Sequence, residues 1–244
     1  MNDNPKQIVQ EAYDYVAEWY LRWIDRQVSP RERYAAKVLQ HAWSASPSPA
    51  PPGGEQRQSQ QQQPPETQQP PSSRPRPRIL DLGCGPGIPV TRLLLDGGAD
   101  VVANDISPKQ LAMARARCPQ AHFVGGDAAA LAFEPASFDG VVSFFTIFHL
   151  PRAEQKGLLA KICAWLKPGS LFAFNLATVD EEEIYGEFLG HGMFWSSYGV
   201  EENVAMVREA GLEVVEVEVL ESEPDEGIEF MWVVARKGLG GEPQ

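Results

Sequence analysis

The stretch ILDLGCGPG, residues 79–87, restricts the fold more than any other part of the chain. Its first four residues suit a strand that carries Asp81 near its end, and glycines then recur at 83, 85 and 87. Glycine adopts φ > 0 without a steric cost and lets a backbone approach a ligand closely, so such a turn can hold a bulky polar molecule against its amides. Residues 88–96 read as a helix starting directly after the turn. Strand, glycine turn and helix form the opening unit of a nucleotide-type site in an α/β fold.

The pattern then alternates. DVVAND (100–105) reads as a second strand ending in a carboxylate, and Ser107-Pro108 caps a helix through about Arg117. AHFVGGD (121–127) is a short third strand, SFDGVVSFFTIFHL (137–150) contains a fourth, and SLFAFNLA (170–177) is a fifth. A helix over 152–166, closed by Lys167-Pro168-Gly169, separates the last two. Strands separated by helices of this length imply βαβ units and a mostly parallel sheet. LEVVEVEVLES and GIEFMWVVARK are two further strands joined by a short loop (223–227), so they pair antiparallel. In the first of them Val214, Val215, Val217 and Val219 alternate with Glu213, Glu216 and Glu218, the expectation being one solvated, acidic face. Between the fifth strand and this hairpin, 179–211 reads as polar and aromatic with two short helical stretches, Asp180 to Glu183 supplying an acidic first turn.

Ahead of the glycine turn, 7–43 reads as helical, with Ile8, Ala12, Tyr15, Trp19 and Trp23 spaced to form one broad face. Ser29-Pro30 starts a second helix. Residues 44–77 change abruptly to a Pro/Gln/Ser-rich composition with no aliphatic side chain larger than alanine until the strand begins. Such a segment buries too little apolar area to offset its ordering entropy and is expected to be disordered, on the side away from the site. The division expected is a helical cap over 1–43, the insert over 44–77, the main domain over 78–237 and a flexible tail over 238–244.

A formal net charge of −12 argues against a nucleic-acid partner, whose phosphates demand Lys/Arg neutralisation. The three cysteines, Cys84, Cys118 and Cys163, lack CxxC or metal spacing, which fits reduced thiols and a cytoplasmic location, and no metal site is expected. No apolar run of membrane-spanning length is seen, so no membrane partner is expected.

A dinucleotide fingerprint would read G-x-G-x-x-G; here the loop is G-x-G-x-G with Pro86 inside it and a carboxylate two residues ahead. In these features the chain resembles the class I S-adenosylmethionine-dependent methyltransferases, in their small-molecule branch. Asp81, Gly83, Gly85 and Gly87 match the family's D/E-x-G-x-G-x-G motif, and Asp105 matches its ribose-binding acid. Gly126-Asp127 matches the pair whose acid takes the adenine amine. Phe138-Asp139-Gly140-Val141, Ile147-Phe148-His149-Leu150 and Leu166-Lys167-Pro168-Gly169 match three further motifs, and 13–20 resembles the Y-D-x-x-A-x-x-Y often seen ahead of such domains. The resemblance covers the chain outside the insert. It implies an α/β fold: a three-layer, doubly wound, seven-stranded sheet, mostly parallel, with one antiparallel strand in a C-terminal hairpin.

It also implies S-adenosyl-L-methionine as cofactor, held by Asp81, Gly83, Cys84, Gly85, Gly87, Asp105, Ile106, Asp127, Ala128 and Phe144, with Tyr13 and Tyr20 from the N-terminal helix. Such a nucleoside carries no phosphate, so acceptors for ribose and adenine suit it better than an anion nest. His149 is the candidate general base. The aromatic flanks are expected to build the pocket of a small organic acceptor: Tyr15, Trp19, His191, Phe194, Trp195 and Tyr198. In-line methyl transfer requires mainly orientation and exclusion of water. A catalytically silent cofactor-binding scaffold and a nicotinamide-dependent dehydrogenase are the competing readings.

Overall fold

The computed structural model describes residues 4–24, 29–45, 74–221 and 227–239. Nearly all of the Pro/Gln/Ser-rich segment (46–73), the loop at 222–226 and the end of the tail (240–244) lie outside the described residues.

Apolar strands alternating with helices produce a seven-stranded sheet in the order β3-β2-β1-β4-β5-β9-β8. The central parallel strands are β1 (Arg78–Leu82), β2 (Asp100–Asp105), β3 (His122–Gly125), β4 (Phe138–Ser143) and β5 (Leu166–Ala177). β9 (Glu229–Lys237) runs antiparallel to both β5 and β8 (Leu212–Glu221). β9 is therefore the single antiparallel strand, as expected. Strand order reverses between β1 and β4, which leaves a crevice at the carboxyl end of β1, where the glycine turn sits.

Each face of the sheet is covered. On one side α5 (Arg152–Trp165) and α6 (Val200–Glu209) pack Leu158, Leu159, Ile162 and Val207 against Leu80, Leu82 and Phe174. On the other, α2 (Arg31–Ala45), α3 (Val90–Asp96) and α4 (Pro108–Arg117) pack Val38, Leu94 and Leu111 against Ile79, Val101 and Ala103. The caps follow local chemistry: Ser107 Oγ accepts the Gln110 N–H at 3.1 Å, with Pro108 at the first helical position.

Three expectations are corrected. The segment after β5 holds one helix, not two: α6 is preceded by a hairpin of β6 (Glu181–Phe188) and β7 (His191–Ser197). Its two-residue turn has φ of 55° at Leu189 and 78° at Gly190, the twist that lets a tight hairpin match its strands. The acidic residues from Glu181 thus lie along an exposed strand, where no helix dipole reaches them. In β8 the outward face is valine. The alternation runs unbroken from Leu212 to Glu221, so that Val215 and Val219 are exposed while Glu216 and Glu218 turn toward α2. There Glu216 pairs with Lys37 at 2.5 Å and Glu218 pairs with Arg33.

The third correction concerns α1 (Pro5–Ile24), which buries Val9, Ala12, Val16, Ala17, Tyr20 and Ile24. The buried face is thus rotated by about one residue, or 100°, from the one the aromatics suggest. Because aromatics occur all round this helix, its period alone does not choose a side. No helix among the described residues is long and apolar enough to cross a membrane.

Candidate functional site

The glycine turn is held from behind by β2. The Gly83 and Cys84 amides both donate to the Asn104 carbonyl at 2.8 Å. The Asn104 side chain donates to the carbonyls of Val124 (3.0 Å) and Gly126 (2.9 Å), tying the ends of β2 and β3 together. These bonds set out three strand ends side by side. A Cβ at Gly83 would run into Thr146 Oγ1 at 1.8 Å, whereas one at Gly85 would meet only Tyr20 Cε1, at 3.7 Å. Gly83 is therefore a packing requirement, and Gly85 faces open space.

That space is a cavity of about 70 Å³. Of the residues expected to hold a cofactor, Gly83, Gly85, Asp105, Ile106, Asp127, Ala128, Phe144, Tyr13 and Tyr20 line it. Asp81, Cys84 and Gly87 do not. Asp81 is buried at the root of the turn, where its Oδ2 accepts the Thr91 hydroxyl at 2.6 Å; burial pushes its pKa up to about 7. Cys84 packs into the core, and a Cβ at Gly87 would meet Ala114 and the Cys118 sulfur at 3.2 Å, so Gly87 admits α4 against the loop.

Asp105 ends β2 with both carboxylate oxygens engaged: Oδ2 accepts the Gly85 amide and Oδ1 the Ser107 amide, each at 2.8 Å. Burial raises its pKa to about 6, partly offset by those same amides. Asp127 accepts the Ala129 amide at 2.9 Å and the Lys6 ammonium at 2.6 Å. Lys6 also reaches Glu154 at 2.7 Å. Burial pulls the Lys6 pKa down, but the two carboxylates outweigh it and hold the ammonium above its ordinary value.

The cavity opens toward a second, larger one of about 800 Å³, and the two share Tyr13, Tyr20, Phe145 and His149 as walls. His149 Nδ1 lies 2.9 Å from the Phe194 carbonyl, which only accepts, so Nδ1 carries the proton. Nε2 is then an acceptor, and the Tyr13 hydroxyl, 3.0 Å away, donates to it. Burial lowers the His149 pKa to about 4 and raises that of Tyr13 well above 10, so both are neutral near pH 7. Tyr13 is left with its oxygen lone pairs free toward the cavities.

Of the residues expected around a substrate, only Trp195 lines the large cavity. Tyr15 and Trp19 are 71% and 45% exposed, on the outer side of α1, a consequence of the rotated helix. His191 lies beyond the cavity against Tyr15, with ring centroids 4.9 Å apart, and Tyr198 lies under the Arg152 guanidinium. Phe194 is fully buried, packing with Val9 and Ala12, because β7 alternates and turns Trp195 the other way. The apolar lining comes instead from Trp23, Phe145, Phe148, Phe188, Phe230 and Trp232.

Sequence reasoning also missed Lys6, Asn104 and Phe145. Asn104 had a signal, a polar residue inside an otherwise apolar strand. Phe145 had none: it is an aromatic held at φ 55°, its amide donating to Asn175 Oδ1 at 2.7 Å. A bulky residue at positive φ is strained and persists where the surroundings over-determine it. Among the described residues no cluster of His, Cys, Asp and Glu could hold a metal ion.

Residues 79–169 match a family model described as a methyltransferase domain. An uncharacterized methyltransferase of Synechocystis sp. is 37% identical over 99 residues, which cover 41% of this chain and 46% of that protein. A demethylmenaquinone methyltransferase of Beutenbergia cavernae is 42% identical over 120 residues, covering 48% and 49%. The chain thus spans less than half the length of these curated relatives. Among solved structures, the Burkholderia thailandensis 1,6-didemethyltoxoflavin-N1-methyltransferase with bound 1,6-didemethyltoxoflavin and S-adenosylhomocysteine superposes with a TM-score of 0.65 at 18% identity, covering 98% of this chain and 92% of that one. The [4+2]-cyclase SpnF superposes with a TM-score of 0.63 at 16% identity, covering 97% and 98%. At these identities the structural likeness is one of fold. Residues 79–169 thus match a methyltransferase domain, and the sheet order with its single antiparallel strand is the fold seen in these solved structures.

Proposed function

We propose that the protein transfers a methyl group from S-adenosylmethionine to a small, largely planar organic molecule. The observation that carries the reading is the juxtaposition of two carboxylates, Asp105 and Asp127, with the glycine turn in one cavity that adjoins a larger aromatic one. Asp105 accepts the two ribose hydroxyls and Asp127 the adenine amine, in exchange for Lys6. Gly85, with no side chain to intrude, admits the nucleoside against the backbone. This donor and acceptor set fits a nucleoside without phosphate, since the cavity presents carboxylates where a dinucleotide would need an anion site.

The cofactor supplies an electrophilic methyl group; the chain supplies position and dryness. Tyr13 and His149 stand between the two cavities, and the Tyr13 proton stays on its oxygen, directed at His149 Nε2. His149 acts as a positioning residue for Tyr13, because its acceptor nitrogen is already occupied. The aromatic walls orient a planar acceptor and exclude water, and orientation of this kind supplies roughly 7–11 kcal/mol of barrier lowering.

Calorimetric titration is expected to give micromolar or tighter binding of S-adenosylhomocysteine, lost in Asp105→Ala and in Gly85→Leu. Wild-type affinity in both variants would overturn the site. The fold also accommodates a protein described as a [4+2]-cyclase. Release of S-adenosylhomocysteine during incubation with a metabolite extract therefore tests the reaction itself: its absence alongside tight binding would favour a silent binder or another chemistry.

A further inference from the structure

The large cavity is mostly apolar, and its few charged side chains are unevenly matched. Arg33 is paired with Glu218, and Glu221 Oε1 accepts the Gly227 amide at 2.7 Å. Arg31, the first residue of α2, is only 5% exposed, and its one side-chain hydrogen-bond partner is the neutral Tyr20 hydroxyl; no carboxylate among the described residues pairs with it. Its Nη1 is buried without a hydrogen-bond partner. The guanidinium lies 4.2 Å from the centre of the Phe145 ring and beside the Tyr20 hydroxyl. A buried cation with no anion beside it among the described residues is costly, and arginine cannot relieve the cost by losing its proton. The stack on Phe145 offsets only part of it.

We propose that Arg31 is the anchor for an anionic group on the methyl acceptor, and that the acceptor is a planar aromatic carboxylate. The inference rests on the methyltransferase reading and specifies its substrate. The planar fork of a guanidinium matches a carboxylate in bidentate fashion. A phosphate would call for further cations or amides, which the aromatic lining does not offer. The ring system then lies along Phe148, Trp195 and Phe230, as the quadrupoles of those side chains favour. Phe145 and Tyr20, which touch Arg31, also line the cofactor cavity, so the anchored end is close to the boundary where transfer occurs. The anchored carboxylate is a handle, with both oxygens taken by N–H donors. The acceptor atom is a different one, facing Tyr13.

The test compares 2-naphthoate with its methyl ester by calorimetric titration in the presence of S-adenosylhomocysteine. Wild type is expected to bind the acid about tenfold or more tightly than the ester. Arg31→Met should abolish that preference while holding ester affinity within about threefold, and Arg31→Lys should keep part of it. Because Arg31→Met removes a buried charge that no carboxylate among the described residues neutralises, its melting temperature should equal or exceed that of wild type. No acid preference in wild type, or an undiminished preference in Arg31→Met, would overturn the inference. Should Arg31→Met fail to fold, the wild-type ratio and Arg31→Lys still decide. Binding of S-adenosylhomocysteine is measured separately, so failure of the cofactor reading is distinguishable from failure of the anchor.

Discussion

On the proposed reading, Asp105 has to satisfy two demands that pull its pKa in opposite directions. It must be buried to meet a nucleoside, and burial favours the neutral acid; it must be ionised to accept two hydroxyls at once. The Gly85 and Ser107 amides, each 2.8 Å away, settle the conflict only partly, and its pKa remains at about 6. Above that value the carboxylate is charged and competent; below it, a proton occupies a lone pair the ligand needs. Affinity for S-adenosylhomocysteine should therefore be flat from pH 8 to about 6.5 and then fall by up to tenfold per pH unit. Asp105→Asn should bind weakly, with no such slope. His149 does not contribute in this range, since burial holds its pKa at about 4. Calorimetric titrations from pH 5 to 8 check this, and an equal slope in Asp105→Asn would assign the titration to another group. That Asp105 lines the cavity was legible because a carboxylate ending the second strand stands opposite the glycine turn whatever the rest of the chain does. The Tyr13–His149 bond was not legible, because it depends on the angle at which α1 crosses the strand ends.

At the scale of elements, α1 decides whether anything enters. It contributes Lys6, Val9, Tyr13 and Tyr20 to a cavity of about 70 Å³, far below the roughly 300–1,000 Å³ usual for ligand sites. Nucleoside binding is therefore expected to displace α1 outward, and the contact it would first release is Lys6 on Asp127 and Glu154. A partly buried pair of this kind is worth about 0.5 kcal/mol after desolvation and entropy. Lys6→Met should accordingly bind S-adenosylhomocysteine two- to threefold more tightly and associate faster, as read by stopped-flow tryptophan fluorescence. Slower association would mean that Lys6 guides the ligand in and does not bar it. The helix itself was plain in the sequence, but its buried face was not, since aromatics occupy both sides and only packing against β7 separates them. The β6–β7 hairpin was hidden for a related reason: an acidic run resembles a helix start, and the first positive-φ residue of the turn is Leu189, which no turn preference singles out.

At the scale of the whole molecule, the candidate site lies at the carboxyl ends of the sheet's strands, and the residues bordering the Pro/Gln/Ser-rich segment lie at the other end of β1 and β2. Alternating apolar runs made that sheet readable, down to the antiparallel β9, because strand spacing and loop length leave few topologies. The same logic governs the Pro/Gln/Ser-rich segment. The residues bordering it meet: Arg74 donates to the Trp43 carbonyl and lies 5.6 Å from its ring, while Trp43 Nε1 donates to the Gly97 carbonyl at 2.9 Å. This junction lies where β1 and β2 begin, and five residues of strand, about 17 Å, separate it from the glycine turn. Replacing residues 46–73 with a short Gly/Ser linker should then leave S-adenosylhomocysteine affinity within about twofold of wild type. Closing the same gap with a shorter chain costs less loop entropy, by about 1 kcal/mol for a fourfold reduction in length, so the melting temperature should hold or rise. Calorimetry and thermal denaturation by circular dichroism read the two quantities. A tenfold loss of affinity with an unchanged melting temperature would mean that the segment reaches round to the carboxyl ends of the strands and forms part of the site.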